Sequence, residues 1–216
     1  PVNIALAIIF FKKQIISKET FISFLKLMLF PIISVLGYVI IKTPKLDTIE
    51  FGLGSNFQTS GGFGANQIST VLGLGAFLSF VFWRRRWKFS GYIWLDFILL
   101  IIFSFQGLIT FSRGGMLGGF LGIVIVLVFE LPSGEANRLS RTIIKLIKTI
   151  PVLLVIFITF KVADNITGGK LSLRYKGETV GTLSGRKEKS LNVITSNRYD
   201  IFIDDSDFYD NKGEIF

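Results

Sequence analysis

Tyr92 to Thr110 reads YIWLDFILLIIFSFQGLIT, Phe111 to Gly115 reads FSRGG, and Met116 to Leu131 reads MLGGFLGIVIVLVFEL. Two apolar blocks, each close to the roughly 20 residues a helix needs to cross a bilayer, therefore stand on either side of a short link. Their apolar residues run on instead of recurring at the spacing of an amphipathic surface helix. Such blocks fit lipid better than water. Working outward, the same signature recurs over 21–41, which holds Lys26 and Pro31, and over 67–83. A fifth block, 143–162, carries Lys145, Lys148 and Pro151, and crosses if its lysines reach back to the interface.

Composition agrees. Of 216 residues, half are hydrophobic and 18% are charged, with a mean hydropathy of +0.58. Soluble domains have a similar apolar share but place charge at about a quarter of positions, so the shortfall is in solvating surface. The expected fold is an all-α polytopic membrane protein: a multi-helix bundle over 1–162 and a large outer-face loop segment over 163–216. Pro1 to Phe11 is apolar but short, without an initiator Met or a signal-peptide layout, and reads as the clipped end of an earlier span. The chain is thus expected to be a fragment, truncated also at its C-terminal end.

Lys and Arg in the connections orient the bundle. Lys12, Lys13, Lys18, Arg84, Arg85, Arg86, Lys88, Arg138, Arg141, Lys145 and Lys148 fall in one set of loops, and only Lys42, Lys45 and Arg113 in the other, eleven against three. The first set is expected in the cytoplasm. The formal charge of +9 then follows from topology and implies no nucleic acid partner. Asp96 and Lys26, each placed about two turns inside a span, read as structural charges within reach of the inner interface or of each other.

With zero Cys and zero His, disulfides, thiolate metal sites and the commonest general base are absent, and no metal or cofactor is implied. Chemistry must run on Arg, Lys, carboxylates and hydroxyls. Arg113 lies where the charge rule discourages a cation. It reads either as an arginine reaching for lipid headgroups or as the ligand of an anion such as a lipid-linked phosphate, which guanidinium grips in a two-pronged fork. Gly114, Gly115, Gly118, Gly119 and Gly122 carry small-xxx-small spacings that favour close helix packing. In the tail, Asn165 to Gly169 and Lys170 to Lys176 read as turn-rich pieces, and Arg186 to Asp204 has helical spacing. There Arg198 falls on the face of Leu191, Ile194, Ile201 and Phe202, either as a stem packed along apolar neighbours or as a cation turned towards a membrane-level substrate. Arg174 and Arg186 are alternatives in stretches that resemble solvated charge. Gly61 to Gln67 matches no phosphate-cradling loop and reads as a flexible turn, and the acidic run Asp204 to Asp210 lacks calcium-loop spacing.

Gly64-Ala65-Asn66-Gln67 ahead of one span, Ser112-Arg113-Gly114-Gly115 at the start of another and Asn197-Arg198-Tyr199-Asp200-Ile201-Phe202 in a large outer segment together resemble the O-antigen ligase and O-antigen polymerase superfamily. The resemblance runs from Phe63 to the end, roughly seven-tenths of the chain. It implies a membrane glycosyltransferase of the C type in the bacterial inner membrane, with residues 163–216 on the periplasmic side. Such an enzyme moves a glycan from an undecaprenyl-diphosphate carrier to a hydroxyl of lipid A-core or of another glycan. It further implies that Arg113 and Arg198 engage the donor diphosphate, with Arg186, Arg174 and Asn66 as further substrate-binding candidates. The family's histidine beyond the large outer loop has no counterpart here, as expected of a truncated chain. Two other classes compete: a transporter or flippase for a lipid-linked or anionic solute, which calls for polar residues at span centres, and a noncatalytic envelope assembly protein.

Overall fold

The computed structural model describes residues 16–129 and 138–178 and Leu183, with side chains over 16–129 and 150–178 and at Leu183. Among the described residues there are helices and turns and no strand. Six α-helices follow in order: α1 Lys18–Lys42, α2 Ala65–Arg85, α3 Ile93–Ile109, α4 Arg113–Phe129, α5 Arg138–Ile166 and α6 Lys170–Tyr175. Single 3-10 turns at Leu46–Thr48 and Gln58–Ser60 punctuate the long α1–α2 connection. By length and composition α1 and α2 are long and apolar enough to cross a membrane, while α3 and α4 are equally apolar in character but have 17 residues each, about 25 Å.

Local chemistry sets these boundaries. Ser17 caps α1 by accepting from the Thr20 amide at 3.2 Å. Asp96, expected two turns inside its span, instead lies in the first turn of α3, fully buried, where it accepts from the Phe89 and Ser90 amides, both at 3.2 Å, and from the Ser90 hydroxyl at 3.0 Å. Its oxygens therefore serve the turn before α3 rather than Lys26. Arg113, Gly114 and Gly115, read from sequence as part of the link, form the first turn of α4, so that only Thr110 to Ser112 separate the two helices. Phe111 makes this reversal in a left-handed conformation, φ 58°, fully buried and stacked on Phe51 with ring centroids 5.5 Å apart. A bulky residue held there costs about 1–3 kcal/mol, which the surrounding packing offsets.

The centre of the bundle is α2, packed on both α3 and α4. A Cβ added to Gly73 would lie 2.4 Å from the Gly115 carbonyl oxygen, one added to Gly115 would lie 2.3 Å from Ser69 and Thr70 backbone, and one added to Gly119 would lie 2.4 Å from the Gly73 carbonyl oxygen. Here α2 and α4 touch backbone to backbone, the arrangement expected of small-xxx-small spacing. Leu72, Ala76, Phe80, Leu100, Phe103 and Ile123 fill the core around this seam. The bundle's exterior is apolar too: Phe24, Leu27, Phe30, Trp94, Leu121 and Val128 are among many large apolar side chains left exposed.

Beyond α5 the expected turn is present, but the piece that follows it departs from its turn-rich reading. Gly168 and Gly169, at φ 62° and 77°, reverse the chain, and Lys170–Tyr175 winds into α6, with Leu171 fully buried. The Asp164 carboxylate accepts from the Ser172 amide at 2.8 Å, fixing α6 against the end of α5. Asn165 to Gly169 thus keeps its expected turn over Thr167 to Gly169, while Lys170 to Lys176 is largely a helix packed through Leu171.

Candidate functional site

Three connections meet at the Arg113 end of the bundle: the α1–α2 loop, the Thr110–Ser112 link and the α5–α6 corner. Polar bonds sew them together. The Asn56 amide donates to the Thr110 carbonyl at 2.8 Å and the Thr59 hydroxyl to the Ile109 carbonyl at 2.7 Å. The buried Gln106 side-chain amide donates to the Thr59 carbonyl at 2.9 Å and to the Thr43 hydroxyl at 3.2 Å. Lys170 crosses from α6 to donate from Nζ to the Phe51 carbonyl. A second small core of Ile49, Phe51, Leu108, Ile109, Phe111, Ala163 and Leu171 lies beneath.

At the centre stands Ser112. Its hydroxyl donates to Asn66 Oδ1 at 2.7 Å and accepts from the Ser69 hydroxyl at 2.8 Å. Asn66, a sequence candidate on the first turn of α2, is thereby joined to the residue preceding Arg113. Arg113 opens α4, and its Nη1 donates to the Arg174 carbonyl at 3.2 Å. The structure therefore brings together Arg113, Asn66 and Arg174; Arg198 and Arg186 lie outside the described residues.

Arg174 corrects its reading as solvated charge. It is half-buried, its Nε has no hydrogen-bond partner among the described residues, and its pKa is lowered first by burial and then by the neighbouring Arg113 guanidinium. Two guanidinium groups are thus held near each other in a partly dehydrated place, where burial and the neighbouring like charge disfavour the Arg174 charge. Beside them the Tyr175 hydroxyl is buried without a partner among the described residues; burial pushes it up to about 12, while Arg113 pulls in the opposite direction. The Tyr175 ring meets Phe160 edge-on at 5.5 Å.

Sequence reasoning missed Ser69, Ser112, Lys170 and Tyr175 as site residues. Ser112 was visible within the Ser-Arg-Gly-Gly run, but its partner Ser69 is 43 residues away and carries no motif of its own. No group of three or more potential metal ligands occurs among the described residues. Comparisons of the chain with protein-family models, with curated proteins and with solved structures give no match.

Proposed function

We propose that the chain is part of a membrane glycosyltransferase of the O-antigen ligase or polymerase type, transferring a glycan from an undecaprenyl-diphosphate donor to an acceptor hydroxyl in the bacterial inner membrane. One observation carries the reading: Arg113, from the first turn of α4, and Arg174, from α6, meet at one end of an apolar helix bundle. The exposed large apolar side chains on α1, α3, α4 and the described part of α5 support a lipid setting, because water would leave that surface uncompensated.

The chemistry follows from charge. The acceptor hydroxyl oxygen bonds to the anomeric carbon as the sugar–diphosphate bond breaks, and the hydroxyl proton is released to water. The bonding electron pair stays on a phosphate oxygen of the departing carrier, and preplaced guanidinium groups stabilise that charge without moving. Partial dehydration strengthens the effect. The bond network through Asn66, Ser112 and Ser69 sets the start of α4, and with it the root of the Arg113 side chain. The resemblance assigns Arg198 a share in the same task.

The test is transfer from a lipid-linked donor by the full-length protein. Arg113→Ala and Arg174→Ala should each lower the rate on the order of 100-fold, as loss of one electrostatic donor does elsewhere. Arg198→Ala belongs in the same series. Undiminished transfer by Arg113→Ala and Arg174→Ala, at normal protein levels, removes the proposal.

A further inference from the structure

Along the α1–α2 loop run two adjoining clefts, of about 500 Å³ and about 340 Å³. Ser55 and Phe57 line both, so the pair forms one groove leading from Glu50 to Asn66. We infer that this groove binds a neutral saccharide chain, the glycan portion of the substrate whose phosphate end is assigned above to Arg113. The inference rests on that functional reading for the origin of the glycan and on the groove's own chemistry for its ligand class.

A sugar presents a ring of hydroxyls at its edge and a face of C–H groups. The groove offers a match to each. Glu50, Asn56, Gln58 and Gln67 supply carboxylate and amide groups, and neither the Glu50 carboxylate nor the Gln58 amide has a protein partner among the described residues. A carboxylate accepts from two adjacent hydroxyls at once. Phe57 supplies the flat apolar surface at the junction, with 63% of its area exposed. Its backbone is fixed: the Phe57 carbonyl accepts from the Ser60 hydroxyl at 2.9 Å, the Gly62 amide at 3.2 Å and the Ser60 amide at 3.3 Å. The ring therefore stands on a preorganised base, which lowers the entropy cost of binding.

Charge and position narrow the ligand further. Among the described residues Glu50 is the single ionisable one lining either cleft, so the groove repels uronates, sialates and phosphates and accepts neutral or amino sugars. An apolar ligand would strand the carboxylate and amides. At one end, Asn66 is bonded to Ser112, the neighbour of Arg113; at the other, Phe51 stacks on Phe111 and receives Lys170. A diphosphate at the arginines would thus have its attached sugars beside this loop.

The experiment uses the full chain in neutral phosphatidylcholine nanodiscs, since sugar-headed detergents would compete. N,N′,N″-triacetylchitotriose serves as the neutral probe and trigalacturonic acid as the acidic one, both followed by saturation-transfer NMR. Chitotriose should bind, and Glu50→Gln and Phe57→Ala should each weaken it about tenfold, the loss expected for a charge-assisted bond or an aromatic contact. Both sites are at the surface, and unchanged thermal unfolding checks that the variants fold. At the groove, read as the binding lost in Phe57→Ala, trigalacturonic acid should bind at least about tenfold more weakly than chitotriose. No transfer of saturation to chitotriose, equal binding by parent and both groove variants, or a preference for the acidic probe that Phe57→Ala abolishes overturns the inference. Absent binding beside Arg113-dependent glycan transfer removes the groove alone. Groove-dependent binding in a protein whose transfer ignores Arg113 and Arg174 upholds the groove and removes the glycosyltransferase reading.

Discussion

Tyr175 gives the site a pH signature. Its hydroxyl ionises near 12 in the folded protein against an ordinary 10, so the folded state holds the proton more tightly than the unfolded chain. The stabilisation is fully present below pH 10 and is lost as pH rises through 12. Tyrosinate absorbance near 295 nm should therefore show one of the five tyrosines titrating late, and Tyr175→Phe should remove that component together with the matching part of the alkaline loss of stability. Loss of a component that ionises near the ordinary 10 instead of the late one would contradict the buried hydroxyl. Ser112 makes a second residue-scale prediction. Ser112→Ala strips a donor from Asn66 and an acceptor from Ser69, at a cost of about 1–3 kcal/mol in unfolding experiments. Arg113 was legible in the sequence because apolar blocks isolate it. Arg174 was not, because its significance comes from a partner 61 residues away that no spacing rule connects.

At the scale of elements, the α2–α4 seam decides whether the bundle assembles. Gly73→Ala, Gly115→Ala and Gly119→Ala each drive a methyl group into backbone within 2.4 Å, where no side chain can yield. Each should cost about 1–3 kcal/mol or more and lower the thermal midpoint in detergent. Gly118, with nothing within 4 Å of an added Cβ, should accept alanine without loss. Equal sensitivity at Gly118 and Gly119 would show that the seam is not where the two helices meet. That α4 packs through its glycines was readable from small-xxx-small spacing, whereas its mate on α2, Ser69 with Gly73, was hidden in an ordinary apolar run. Helix ends were less legible than helix centres. Apolar length announces the middle of a helix, but its start depends on a side chain folding back, as Asp96 does onto Phe89 and Ser90. Likewise α6 exists because two left-handed glycines turn it onto α5, a tertiary event that local alternation in Lys170 to Lys176 conceals.

For the whole molecule, the expected topology places Ser55 and Lys88 on opposite sides of a bilayer. The absence of native cysteine makes this direct to check. Ser55→Cys should react with a membrane-impermeant maleimide in intact spheroplasts, and Lys88→Cys only after permeabilisation; equal reactivity from one side would overturn the orientation. The all-helical character was plain from composition and block length, because a backbone surrounded by apolar side chains must satisfy its own hydrogen bonds. How the connections assemble was not, since polar loop contacts depend on the bundle already standing. The glycine seam has a mechanical corollary. Helices α2 and α4, in direct main-chain contact, form an anvil that cannot slide, and it carries Asn66 and Arg113. Arg174 and Tyr175 arrive on α6, tethered through a two-glycine knuckle. Side-chain bonds from Asp164, Lys170 and Arg113, and no main-chain seam among the described residues, hold α6 in place, so a spin-label pair between α4 and α6 should show a broader distance distribution than pairs within the anvil.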